Sequence, residues 1–212
     1  MCSNGAFRQR RGIRPDEENS MQGTPRAGSL FYLIGTKGEG IMMDKLQELV
    51  EKEAIRDQIY KYCHALDRID NELGYTIFSE DAKVDYGDTY RGTGRGFIDN
   101  MLEQHRHMIS THHMMTNILI KLDEDGTKAV SETYMYAACK MKGKEEGKTF
   151  TVEARCRDID NWEKRDGKWV IVKRIVAGDN TRIMSHYKDL PNYNTSRDDK
   201  NDPSYEVLGS LL

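Results

Sequence analysis

The sequence contains no long hydrophobic run, no excess of charge of one sign and no cysteine pattern, and each absence excludes a class of protein. No stretch approaches the ~18 apolar residues that a membrane helix needs, so no membrane role is expected. The 32 Lys and Arg residues are interspersed with 35 Asp and Glu residues, whereas a nucleic-acid partner requires a basic face. The four cysteines show neither CxxC spacing nor clustering with histidine, which favours reduced thiols in the cytoplasm.

The composition favours a small domain that binds an organic molecule. The 212 residues are 37% hydrophobic and 32% charged, which suffices for one domain with a core and tails. Phenylalanine is scarce, with 5 residues, whereas Met and Tyr number 11 each. Methionine and tyrosine together give a lining that is apolar but supplied with hydroxyl groups. Such a lining suits an oxygenated small molecule.

Both ends of the chain differ from its middle. Residues 1–42 combine Gly, Pro, Arg and Ser without periodicity, as disordered leaders do, and lack the apolar segment of a secretory signal. The letters KGEG before Met42 and Met43 are what a purine-rich ribosome-binding site encodes when it is translated in frame. We therefore expect the native chain to begin at one of these methionines. Residues 188–212 form a polar tail without a core pattern.

Helices are predicted in the first half of the middle region. Apolar residues recur at three- and four-residue steps over 46–66, the pattern of an amphipathic helix, with Asp44 as its N-cap. Shorter helices are predicted over 71–78 and 97–108. The glycine-rich loop before the third helix lacks the GK[ST] ending of a phosphate loop, so no nucleotide site is expected there.

Strands follow the helices. Alternating segments separated by Asp-Gly and Gly-rich turns predict hairpins. These strands are predicted over 83–86, 114–122, 129–141, 149–164 and 168–182. Helices first and an antiparallel meander afterwards indicate one α+β domain, over 43–187.

A carboxylate and a tyrosine stand near the end of the long helix. Tyr62 shares a helix face with Leu66, and Asp67 follows where the chain leaves the helix. A carboxylate at this position can point into the open end of a sheet that packs on the helix. Capping of the second helix by Asp67 and Asp70 is the alternative explanation.

Two adjacent histidines begin a predicted strand. Neighbouring residues on a strand face opposite sides, so only one of His112 and His113 can enter a pocket. A neutral histidine is a natural base near pH 7, and a nearby carboxylate fixes its tautomer and stabilises its cation. A purely structural histidine is the alternative. Zinc is not expected, because His105 and His107 diverge by about 200° around a helix.

Charged residues alternate on the penultimate strand. Alternation places Arg155 and Arg157 on one face, with Asp158 and Asp160 on the other. Cross-strand ion pairs on the outer face of the sheet explain such a pattern. An arginine that faces inward, for which Arg157 is the candidate, would instead hold a substrate oxyanion.

At these residues the chain resembles the SnoaL-like branch of the nuclear-transport-factor-2-like superfamily. The similar segments are EAIRDQIYKYCHALDRIDNE, THHMMTN and DNWEKRDGKWVIVKR, and the likeness extends over about residues 43–180. The resemblance implies a cone-shaped, curved antiparallel sheet packed on helices that enclose a pocket. It also implies a homodimer or homotrimer, and chemistry without a cofactor or metal.

The resemblance also implies a set of site residues. Dehydratases and a dehydrochlorinase of this group pair a helix-end Asp with a His at the start of a strand, positions that Asp67 and His113 match. Tyr62 and Tyr86 match tyrosines of two of the dehydratases. A second dehydratase histidine has no match, because the corresponding strand reads SETYMYA. The residues assigned to substrate binding are His112, Asn117, Tyr134 and Arg157.

The function implied is that of a cofactor-independent lyase. It would catalyse a dehydratase-type elimination on a hydrophobic oxygenated cyclic or steroid-like small molecule, using an Asp–His dyad. The alternatives are a ketosteroid isomerase or polyketide cyclase, and a non-catalytic ligand-binding or dioxygenase beta-like subunit. Epoxide hydrolases of this superfamily need an Asp-Arg-Asp triad, which the sequence offers only around Arg157.

Overall fold

A computed structural model describes residues 44–186 and 197–208. The leader predicted for residues 1–42 and the first part of the predicted tail lie outside the described residues. The helices are α1 (Lys45–Asp67), α2 (Asn71–Tyr75), α3 (Gly94–Arg106) and α4 (Pro203–Leu208). The strands are β1 (Phe78–Tyr86), β2 (Tyr90–Thr93), β3 (Ser110–Leu122), β4 (Lys128–Lys142), β5 (Thr149–Arg165) and β6 (Lys168–His186). No helix among these residues has the length and apolar character to cross a membrane.

The six strands form one curved, unclosed sheet in the order β2-β1-β6-β5-β4-β3. The α+β class is confirmed, but the sheet is mixed, because β1 pairs in parallel with β6. The other four strand pairs are antiparallel, as expected. Only the hairpins are local in sequence, whereas β6 reaches β1 after the chain has passed through α3 and four other strands. β2, predicted as loop, pairs with β1 in a short hairpin.

Helix α1 lies across the sheet and begins as predicted. The Asp44 carboxylate caps it by accepting a hydrogen bond from the Gln47 backbone N–H. Its inner face buries Ile55, Ile59 and Leu66 in the core. The apolar residues of its first turns, such as Leu46, are exposed, so the predicted stripe is buried only from Glu51 onward. The helix therefore packs along its C-terminal two thirds, and that packing brings Asp67 to the sheet.

Two tryptophans are buried against the sheet, and one of them contacts the first half of α1. Trp162 and Trp169 are both buried, and each indole N–H has a partner. Trp162 donates to the Ser131 hydroxyl at 2.8 Å, and Trp169 donates to the Glu51 carboxylate at 2.7 Å. Buried indoles need such partners, because an unpaired buried N–H is unfavourable. The two indoles are therefore buried with their N–H groups paired, whereas the His113 cavity lies at the C-terminal end of α1.

Candidate active site

Asp67 and His113 form a buried pair between the end of α1 and the start of β3. The imidazole Nδ1 lies 2.6 Å from Asp67 Oδ1, and the backbone N–H of His113 donates to Asp67 Oδ2 at 3.0 Å. Each residue is 8% exposed. One histidine thus engages both carboxylate oxygens. Because a carboxylate only accepts, Nδ1 donates this hydrogen bond, and in the neutral ring Nε2 is then the nitrogen with the free lone pair.

Strand alternation decides which histidine joins the carboxylate. His113 is buried on β3, while His112 and Met114 on either side of it are exposed. Asp67 reaches His113 because it is the last residue of α1, and the chain then turns away through Ile69, whose φ is +52°. The same turn places Asp70 as the cap of α2. Asp70 is therefore the capping residue, and Asp67 is left for His113.

The His113 ring lines a cavity of about 250 Å³ between α1, α3 and the inner face of the sheet. Its walls are mainly apolar, with methionine and aromatic side chains, and they include Tyr62, Tyr86, Phe97, Met101, His105 and Met135. A larger groove of about 650 Å³ runs beside Leu122, Ala129 and Trp162, but it contains no part of the dyad. The smaller cavity is the candidate site, because it alone of the two combines an apolar wall with a base.

Both predicted tyrosines line this cavity. Burial raises the pKa of Tyr62 well above its usual range, although the nearby Arg174 guanidinium opposes the shift. Burial also raises the pKa of Tyr86 to about 12. Both phenols are therefore neutral at physiological pH and can donate a hydrogen bond to an oxygen atom in the cavity.

A buried carboxylate–guanidinium group lies beside Tyr62, and the sequence did not reveal it. Arg174 on β6 holds Asp160 through two 2.8 Å hydrogen bonds and stacks over the Tyr62 ring at 4.3 Å. Its Nη1 also approaches Asp158 Oδ2 at 3.2 Å, but the angles are not those of a hydrogen bond. Asp158 lines the cavity. Burial raises the pKa of Asp158 to about 6, although Arg174 opposes this shift.

Alternation on β5 is as predicted, and Arg157 forms the cross-strand ion pair of the first explanation instead of facing inward. Asp158 and Asp160 point into the domain, and Arg157 lies outside, 3.2 Å from Glu132 and 3.5 Å from Asp179. Charged residues occupy both faces of this strand, so no apolar side identified the interior. An arginine that does face inward is Arg174, which forms an ion pair with Asp160 and lies beside Asp158.

A second cavity histidine comes from α3. His105 is buried, its ring centroid lies 5.3 Å from that of His113, and its Nδ1–H donates to the Leu66 carbonyl at 3.2 Å. Burial, and then the neighbouring His113, lower the pKa of His105 to about 4, so it is neutral near pH 7. The spacing of Ile98, Leu102 and His105 on one helix face was a usable signal for its burial.

The residues assigned to substrate binding do not line the cavity. His112, Asn117, Tyr134 and Arg157 are absent from its walls. Tyr134 is directly paired with Arg157 across β4 and β5, and both lie on the outer face of the sheet. Among residues 44–186 and 197–208, no three His, Cys, Asp or Glu side chains are grouped so that they could hold a metal ion.

Comparisons with known proteins agree with this fold. Residues 47–175 match the SnoaL-like domain. A protein provisionally identified as a scytalone dehydratase, from Novosphingobium aromaticivorans, is 24% identical with a TM-score of 0.56, and 71% of this chain covers 97% of that one. A hexachlorocyclohexane dehydrochlorinase, LinA Type2, is 16% identical with a TM-score of 0.59, and 70% of this chain covers 98% of it. LinA-type3 from Novosphingobium barchaimii is 15% identical with a TM-score of 0.58, with 70% and 100% covered.

At these identities, the likeness to solved structures shows the fold alone. No curated protein matches the sequence. The domain match, however, extends over more than half of the chain and includes both Asp67 and His113. The chain belongs to the SnoaL-like family.

Proposed function

We propose that the protein is a cofactor-independent lyase that catalyses a dehydratase-type elimination. The observation that carries the proposal is the buried Asp67–His113 pair, with Nδ1 held by the carboxylate and the ring in the wall of an apolar cavity. This arrangement leaves the Nε2 lone pair as the base available to a bound molecule. The cavity of about 250 Å³ lies below the ~300–1,000 Å³ of typical ligand pockets, which favours a small oxygenated cyclic substrate over a steroid.

The reaction begins at a C–H bond that a neighbouring carbonyl group makes acidic. His113 Nε2 takes the proton, and the electron pair of that bond forms the new double bond as the leaving oxygen departs. Asp67 orients the ring and stabilises the imidazolium, which strengthens the base. Such acid–base help contributes about 10²–10⁴-fold, so positioning and electrostatic stabilisation must supply the remainder.

Three side chains in the cavity can donate a hydrogen bond or a proton to the leaving oxygen. Tyr62 and Tyr86 keep their protons at neutral pH and can donate to the developing charge. Asp158 has a pKa raised to about 6, which lies close to the pH at which a general acid is most effective. The departing hydroxide accepts this proton and leaves as water. A base and acids in one cavity are more than a non-catalytic subunit requires.

The test is a matched pair of neighbouring histidines. Full-length protein is incubated with a panel of hydroxylated cyclic ketones, and products are identified by mass spectrometry. A product lighter by one water supports elimination, whereas a product of unchanged mass would indicate isomerisation, which begins with the same proton abstraction. We expect His113→Asn to lose about 10²–10⁴-fold in turnover. His112→Asn should keep wild-type turnover, because His112 lies outside the cavity. Equal activity of all three proteins would contradict the proposal.

We also propose that the protein is a homodimer or homotrimer. The outer face of the sheet presents exposed apolar side chains, among them Leu119, Tyr134 and Ile175. Leu119 and Ile175 lie in one row across β3 to β6, through Glu132 and Ile159. Exposed apolar side chains on one face of a sheet favour association between copies. Light scattering should give two or three chains for the wild type, and fewer for Tyr134→Glu. A monomeric wild type would contradict the proposal.

A further inference from the structure

The C-terminal segment, residues 197–208, lies against the turn that follows Asp67. Arg68 Nη1 donates to the Arg197 carbonyl at 2.6 Å, and the Arg68 guanidinium lies 3.7 Å from the Asp202 carboxylate. The Tyr205 hydroxyl donates to Asp70 Oδ2 at 2.7 Å. The Tyr205 ring also packs edge-on against His64, with centroids 5.2 Å apart. The segment thus contacts the last turn of α1 and both sides of Ile69.

The segment is itself held in shape by one buried carboxylate. Asp202 is 7% exposed and accepts hydrogen bonds from the Arg197 and Ser204 backbone N–H groups at 2.8 and 3.0 Å. The Ser204 hydroxyl donates to it as well. Burial favours a raised pKa for Asp202, but these hydrogen bonds outweigh it and lower the pKa. These hydrogen bonds stabilise one conformation of the segment, the conformation in which it contacts the turn after Asp67.

The turn beneath the segment is strained and needs support. Ile69 has φ +52°, the left-handed region that a β-branched residue rarely adopts. Asp70 anchors the far side of the turn, because its Oδ1 accepts from the Leu73 N–H at 3.1 Å while its Oδ2 accepts from Tyr205. Such a conformation persists only where its surroundings determine it, and the segment provides part of those surroundings.

The turn is also directly connected to Asp67, one of the two residues of the dyad. Asp67 immediately precedes it, and the Arg68 Nη1 that reaches Arg197 also donates to the Asp67 carbonyl at 3.2 Å. One guanidinium therefore joins the dyad residue to the C-terminal segment. The segment lies beyond residues 47–175, the part of the chain that matches the family domain.

We infer that the C-terminal segment positions the dyad, with Tyr205 and Asp202 acting through Arg68 and Asp70 on the Asp67 carboxylate. Neither residue lines the cavity, so both are positioning residues. A small rotation of Asp67 would lengthen the two hydrogen bonds that orient His113, and a misplaced base loses rate steeply. The inference rests on the proposed function for its kinetic consequence only, because the geometry of the dyad can be measured without a substrate.

The experiment uses full-length protein and the Nδ1 proton of His113, followed by NMR as a downfield resonance. Tyr205→Phe keeps the ring against His64 and removes only the hydrogen bond to Asp70. Tyr60→Phe is the control, because Tyr60 is 50% exposed on α1. We expect solvent exchange of the His113 proton to accelerate about two- to tenfold in Tyr205→Phe, the effect of one lost hydrogen bond, and further in Tyr205→Phe/Asp202→Asn. Exchange of the buried Trp162 indole proton should stay unchanged, which separates positioning from a general loosening.

Turnover supplies the second readout. On a substrate identified with the wild type, Tyr205→Phe should lower kcat about two- to tenfold and leave KM unchanged, because the cavity wall is intact. If His113→Asn is inactive while Tyr205→Phe has wild-type proton exchange and kcat, the proposed function stands and this inference is overturned. If Tyr205→Phe accelerates the exchange but His113→Asn keeps full turnover, the positioning stands and the proposed function is overturned.

Discussion

Helix α1 carries two buried carboxylates, and they are held in different ways. Glu51, in the first half of the helix, accepts hydrogen bonds from Gln47, Lys164 and Trp169 at 2.6, 2.6 and 2.7 Å. Asp67, at its end, gives both of its oxygens to His113. Both residues are nearly inaccessible to solvent. Burial of an acid in this fold is therefore not in itself a sign of function.

The partners distinguish the two carboxylates. A lysine forms an ion pair with Glu51, and the other two partners, Gln47 and Trp169, carry no ionisable group. Glu51 is also absent from the walls of the cavity. Asp67 is bonded to the imidazole of His113, and that ring lines the cavity. A buried acid next to a usable base indicates chemistry, whereas a buried acid next to a fixed cation indicates structure.

Neutralising Asp67 should give the largest effect at either end of α1. Asp67→Asn keeps the size of the side chain but removes the charge that stabilises the His113 cation, and it favours the other imidazole tautomer. We expect turnover to fall by roughly 10²–10⁴-fold, measured by steady-state kinetics on the substrate identified above. Circular dichroism should show an unchanged fold. An active Asp67→Asn protein would remove the distinction between the two carboxylates.

The corresponding substitution of Glu51, an acid replaced by its amide, should lower stability and leave turnover nearly unchanged. Glu51→Gln leaves the Lys164 ammonium without its charged partner and weakens the bond to Trp169. We expect a loss of about 1–3 kcal/mol in the free energy of unfolding by urea, with turnover within about twofold of the wild type. A large loss of turnover at full stability would show that Glu51 is coupled to the cavity.

The smallest expected effect is on how the free energy of unfolding depends on pH in the acidic range. Burial favours a raised pKa for Glu51, but its hydrogen bonds to Lys164, Trp169 and Gln47 outweigh it and lower the pKa below the usual 4.5. A lowered pKa stabilises the fold above pH 4.5, and this contribution is lost as the pH falls through the folded-state value. The wild type and Glu51→Gln should therefore converge in stability at acidic pH. Unfolding curves that stay parallel from pH 7 to pH 3 would contradict the assignment.

Local patterns in the sequence predicted which residues the structure brings together between α1 and β3. The end of the long helix placed Asp67, and the start of a strand offered His112 and His113. The choice between these histidines followed from the structure, because alternation fixes their relative faces but not which face is inward. Tyr62 and Tyr86 were placed by resemblance, and both line the cavity.

The rest of the site depends on contacts between distant segments. From the sequence, Asp158 and Asp160 were interpreted as surface charges. Their buried partner, Arg174, comes from the next strand and lies beside them only after β5 and β6 pair. The parallel pairing of β1 with β6 and the docking of residues 197–208 are likewise non-local. No periodicity along the chain encodes such contacts.

The parallel pair also sets the order in which the domain can be completed. Phe78 of β1 pairs with Ile171 of β6, so the six-stranded sheet cannot be completed until almost the whole domain has been synthesised. The meander of β3, β4 and β5 can form earlier, and so can the contact between Asp67 and His113. Until β6 arrives, β1 and β5 both present unpaired strand edges, which are prone to aggregation in a nascent chain. We expect folding of this protein to be slow and dominated by that final step, as is usual for topologies rich in long-range pairing.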